Sequence, residues 1–166
     1  MPAGPSESIV LADENADPDN TILDILNEGE HGKDSGALLV THDEQLAKYV
    51  QENMQSVIDT LPQPHRDICT HVMGGGEDSY GGIILTDSLE DSIAFSNEYA
   101  PEHLHLKVKD GENYLDDLNI LEQKIQKMTL ILKNKKHEIS SNNLFRQYLS
   151  VLHYRSQTFK NIAKRI

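Results

Sequence analysis

Tryptophan is absent, cysteine occurs once, at Cys69, and aromatic side chains make up only 5% of the 166 residues. One cysteine excludes an intrachain disulfide and any multi-cysteine zinc cluster. The core must therefore close by burial alone, mainly of Leu, Ile and Val. No apolar run approaches the roughly 18 residues that a membrane helix needs. The opening of the chain has neither a basic start nor a long apolar stretch, so no signal peptide is expected. These absences lead to the expectation of a cytoplasmic protein the size of one ordinary domain.

Positive charge is scarce in residues 1–118, which hold five Lys/Arg against 25 Asp/Glu, whereas residues 119–166 hold ten against two. A net charge of −12 thus combines a body at −20 with a tail at +8. Phosphate contacts need positive charge, so the acidic body argues against nucleic-acid binding. The tail shows no regular basic–aromatic spacing. A solvated face, or a tail folding back on its acidic partner, is the simpler reading.

What is present alternates between strand and helix. SIVLAD (8–13) and ALLVT (37–41) are compact apolar runs, IILTD (83–87) is a third, and LHLKV (104–108) alternates as a fourth, half-exposed strand. Between them, Pro18 suits a first helical turn, followed by one apolar face of Ile22, Leu23, Ile25 and Leu26. Thr41 or Asp43 can cap a helix carrying Leu46, Val50, Met54, Val57, Ile58 and Leu61 as far as Pro62. A short helix over 64–72 precedes the glycine loop GGGEDSYGG (74–82), and Ser88 or Asp87 caps a helix running to about Tyr99. This order predicts an α/β layer with mainly parallel strands over residues 1–118. From 119, Leu121, Ile125, Met128 and Leu132 recur at helical spacing, which predicts a basic helical tail over 119–166. Neither part contains GxGxxG or GxxxxGK(S/T), and Glu77 and Asp78 in the glycine loop would repel a pyrophosphate.

Two polar pairs could carry chemistry. Glu28 and His31 are three apart, about 60° on a helical wheel, and fall away from Ile22, Ile25 and Leu26. A carboxylate and an imidazole are competent zinc ligands, yet zinc takes three or four. The other reading is a solvated helix end with Gly32 as its stop and His31 at the negative end of the dipole. Glu102 and His103 follow Pro101, which biases Ala100 toward an extended backbone and stiffens a helix-to-strand connection. The pair could perform acid–base chemistry. It could equally be a surface turn, since it enters a strand at its amino end while α/β sites gather at carboxyl ends. His42, His65, His71 and His105 have no partner at a diagnostic spacing, and Cys69 reads as a structural thiol.

Four motifs in register, MPAGPSE (1–7) with the strand IVLAD, GEHGKDS (29–35) with LLVT behind it, and YAPEHL (99–104), resemble the histidinol dehydrogenase family over residues 1–110. The resemblance implies an incomplete Rossmann-like layer in a homodimer. It also implies zinc- and NAD-dependent oxidation of L-histidinol to L-histidine through histidinaldehyde. Ser6 matches a serine that contacts substrate, and His31 matches a zinc ligand that also faces substrate. Glu28 stands where the family has a glutamine ligand, and its carboxylate adds a negative charge there. Glu102 and His103 match the catalytic pair: the glutamate activates water, and the histidine is the base for the alcohol and hydrate. The family's continuation past PEHL, which brings further zinc ligands, is not found here, and neither is the amino-terminal half that makes most contacts to NAD. Two functions follow: a histidinol dehydrogenase incomplete in this chain, or a non-catalytic remnant serving as a structural or interaction module.

Overall fold

The computed structural model describes residues 6–119, so the tail expected beyond them lies outside the described residues. Four strands form one parallel sheet in the order β3-β2-β1-β4. They are β1 (Glu7–Ala12), β2 (Gly36–Thr41), β3 (Gly82–Leu85) and β4 (His103–Lys107). All four fall within a residue or two of the apolar runs that predict them. The expected parallel α/β layer is the observed one.

Strand β1 is hydrogen-bonded on both sides, and its residues Ile9 to Ala12 are fully buried. Val10 and Ala12 join one apolar cluster while Ile9 and Leu11 join the other, as a period of two requires. The first cluster lies under α1 (Pro18–Gly29), α2 (Glu44–Ile58) and α3 (His65–Met73). The second lies under α4 (Leu89–Tyr99). Crossover handedness explains this division. The chain steps from β1 to β2 to β3 in one direction, then returns from β3 to β4 in the other. Right-handed crossovers in opposite directions place their helices on opposite faces.

The helix starts follow local chemistry. Asp17 caps α1 through the Asn20 amide at 2.8 Å with Pro18 as first helical residue, and Asp43 caps α2 through the Gln45 amide at 3.0 Å. Ser88, rather than Asp87, caps α4 through the Asp91 amide at 3.1 Å. Leu23, assigned above to the apolar face of α1, is 52% exposed. In the glycine loop the backbone, not a ligand, explains Gly81. Its amide bonds the Val72 carbonyl at 2.9 Å, and a Cβ there would stand 2.7 Å from that oxygen.

β4 alternates for a reason the sequence does not disclose. Leu104 and Leu106 pack into the α4-side cluster, while His105 and Lys107 face carboxylates of α1 instead of bulk water. At the other end of the strand, Asp13 ties β1 to the edge strand β4. It accepts the Lys109 amide at 2.7 Å and the Asn15 amide at 2.9 Å. Among the described residues, no helix is long and apolar enough to cross a membrane.

Replacing Asp13 by Ala removes the charged acceptor of two part-buried amides. It should lower the free energy of unfolding in denaturant titration by about 1.5–3 kcal/mol. Cys69 is fully buried, and its thiol points at the Leu26 carbonyl oxygen at 3.8 Å. Burial first, and the charge of Glu30 second, push this thiol up to about 11. The thiolate therefore forms only as pH approaches that value. At pH 8 the folded chain should leave an aromatic disulfide reagent unreacted, whereas urea-unfolded chain should react with one equivalent.

Candidate functional site

Parallel strands with antiparallel return helices bring every strand's amino end to the same edge of the sheet. Three polar motifs distant in sequence converge there. Ser6 immediately precedes β1, the segment Glu28–Ser35 leads from α1 into β2, and Glu102 and His103 lead into β4. Backbone bonds stitch the segments together. The Gly36 amide donates to the Ser6 carbonyl at 2.8 Å, and the Glu102 amide to the Glu7 carbonyl at 2.9 Å.

Glu28 corrects the reading of a solvated helix end. It is 6% exposed, and its Oε2 accepts the Ser6 hydroxyl at 3.2 Å. His105 Nε2 lies 3.7 Å from its Oε1. The wheel assigned Glu28 to the side of α1 away from the apolar residues, and that side is covered by the polar face of β4. Helix α1 also stops at Gly29, with Glu30 as cap, instead of reaching Gly32. Glycine is a poor helix residue, and the chain must turn here toward β2. His31 consequently lies outside the helix and is exposed; its amide donates to the Glu28 carbonyl at 3.4 Å. Ser6 and Glu28 are in contact, and His31 stands in the adjoining loop.

The second pair also departs from expectation in its backbone. Ala100 is left-handed, at φ 55° and ψ 63°, rather than extended. Its amide donates to the Ser96 carbonyl at 2.9 Å, closing α4 with the turn that usually calls for glycine. This reversal delivers Pro101, Glu102 and His103 to the sheet edge. Glu102 and His103 are both exposed, and His103 pairs in register with Ser8. By strand alternation His103 shares the α1-facing side of β4 with His105.

His105 is the group that sequence reading passed over. Its Nδ1 lies 3.7 Å from Asp24 Oδ2, and Lys107 Nζ lies 2.5 Å from that same oxygen. No spacing within the sequence pairs residue 105 with residues 24 and 28; the signal was only the alternation of β4. Elsewhere, His65 pairs with Glu30 at 3.0 Å and His42 with Glu14 at 3.7 Å. A cavity of about 300 Å³ opens at the carboxyl ends of β1 and β4, lined by Asp13, Glu14, His42, Lys109 and Tyr114 among others. None of the five sequence-nominated residues lines it.

Whether these residues fit a zinc ion is answered by Glu28. One of its oxygens is taken by Ser6 and the other faces His105. Among the described residues no three His, Cys, Asp or Glu side chains are grouped to hold a metal. The arrangement as it stands does not fit a zinc site.

A parallel layer with helices on both faces and polar motifs gathered at its amino edge defines an α/β domain of incomplete Rossmann-like type. The sequence profile of histidinol dehydrogenase matches residues 1–122, and the chain belongs to that family. The histidinol dehydrogenase of Synechocystis is 51% identical over 110 residues, covering 66% of this chain and 24% of that protein. The Mannheimia succiniciproducens histidinol dehydrogenase is 39% identical over 119 residues, covering 72% and 26%. The crystal structure of histidinol dehydrogenase from Elizabethkingia anophelis matches at a TM-score of 0.62 and 39% identity, again over 72% of this chain and 26% of that one. The chain spans about a quarter of the length of the relatives it matches.

A left-handed alanine costs roughly what glycine would spare. Ala100→Gly should raise unfolding free energy by about 1 kcal/mol, read as a higher midpoint in urea.

Proposed function

We propose that this chain carries the substrate-contact and proton-transfer part of a histidinol dehydrogenase site, and that the 166-residue chain alone does not turn over. The observation that carries this reading is the convergence of Ser6, Glu28, Glu102 and His103 at one sheet edge. In this reading His103 takes the proton from the alcohol of L-histidinol and later from the aldehyde hydrate. Glu102 activates the water that adds to histidinaldehyde, and Ser6 contacts the substrate. Both acid–base groups are exposed, so a substrate can reach them.

Proton transfer is the smaller share of such a reaction. General acid–base catalysis supplies about 10²–10⁴-fold, and only on a substrate already held in place. The reacting carbon must sit within roughly 3–3.5 Å of its hydride acceptor. NAD is the family's acceptor, and the described residues contain no glycine-rich phosphate loop for it. Glu28 and His31 are the inherited zinc positions, but Glu28 is turned to protein partners. The chain would therefore contribute to histidine biosynthesis where further polypeptide, in the family a homodimer of longer chains, completes the site. By itself it is a folded, non-catalytic module.

NADH formation from histidinol and NAD, with and without added zinc, tests this. The expected result for the isolated chain is the background rate. Turnover well above background that disappears in both Glu102→Gln and His103→Asn would show that the chain completes its own site.

A further inference from the structure

Two acidic side chains on α1 meet two basic ones on β4. Asp24 and Glu28 stand one helical turn apart, and His105 and Lys107 stand on the same strand face, two residues apart. His105 Nε2 is 3.7 Å from Glu28 Oε1, His105 Nδ1 is 3.7 Å from Asp24 Oδ2, and Lys107 Nζ is 2.5 Å from that Asp24 oxygen. Ser6 occupies the remaining Glu28 oxygen at 3.2 Å. A carboxylate as buried as Glu28 needs such partners, because an unpaired one costs several kcal/mol to bury. Both ring nitrogens of His105 face carboxylate oxygens, so neither is directed at an open position.

We propose that His105, steadied by Asp24 and Lys107, is the positioning residue of Glu28 and holds the side of its carboxylate that a divalent metal would use. Metal and His105 then compete for the same oxygen. The inference rests on reading Glu28 as the successor of a metal ligand. A zinc–carboxylate bond is about 2.0–2.2 Å long. To make it, Oε1 must turn from the ring or the ring must move aside. The four-residue set is complete without a metal.

Zinc titrations of the full chain at one fixed pH, in competition with a chromophoric chelator, test the idea. They compare the wild type with His105→Gln, Glu28→Gln and the double variant. The expected result is binding tighter by about tenfold in His105→Gln, the order of one contact to a charged group, with the gain lost in the double variant. Weaker binding in His105→Gln overturns the proposal by making the ring itself a ligand. Unchanged binding overturns it by showing that the ring does not hold Glu28. If Glu28→Gln lowers zinc affinity while His105→Gln raises nothing, only the His105 step fails. If Glu28→Gln changes nothing in either background, the reading of Glu28 as a ligand's successor fails with it. His105→Asn is measured alongside, and circular dichroism shows which variant is folded. A chain that folds with neither replacement also overturns the competition, because His105 would then hold the fold rather than the carboxylate.

Discussion

The pairing of β1 with a parallel neighbour on each side is the constraint on which the rest depends. Once β1 pairs with β2 on one side and β4 on the other, three strand starts are fixed at one edge. Backbone bonds from Gly36 to Ser6 and from Glu102 to Glu7 then set the spacing of the polar segments without any side chain taking part. Residues 6, 28, 102 and 103 are neighbours because of the ladder, not because of affinity among themselves. Strand-to-strand spacing of about 4.8 Å is rigid, so side chains rooted at such starts inherit that precision. The amino-edge location runs against the usual preference of α/β sites for carboxyl ends. Here the carboxyl edge carries Asp13 and a polar cavity instead.

Between α1 and β4 the contact is polar and half-buried. Apolar packing holds α1 over β1 and β2 through Ile22, Ile25 and Leu26, and that burial sets the height of the helix above the sheet. The outer flank of the helix then overhangs β4, where His105 and Lys107 meet Asp24 and Glu28. Such pairs add little net stability once desolvation is counted. Their effect is geometric. They fix the rotation of Glu28 in the last turn of α1, beside the loop that carries His31.

The fold was legible because each of its devices is local. Asp17, Asp43 and Ser88 cap helices with their own side chains, and the runs at 8–13 and 37–41 are too apolar and too short to be anything but buried strands. The candidate site was nominated only through a resemblance to a family, and three particulars of its geometry escaped. A helical wheel weighs apolar residues and is blind to a polar partner 77 positions further on, so it leaves Glu28 between a ligand and a solvated helix end. Pro101 biases Ala100 toward an extended backbone. The unsatisfied carbonyls at the end of α4 outweighed that bias and drew the residue into a left-handed turn. His105 was passed over because its partners lie on another element, and no spacing within a strand encodes them.

Fold and site close on different scales in this protein. Among the described residues, both hydrophobic clusters are drawn from positions between 9 and 118. A site built at strand starts has no such closure. Among the described residues, Glu102 and His103 stand exposed at that edge. A chain that matches about a quarter of its relatives' length thus gathers a buried core and, at its edge, exposed polar groups. The Glu28–His105 contact is what such a separation looks like at atomic scale. A buried carboxylate demands a partner whether or not catalysis continues, and β4 supplies one from within the layer.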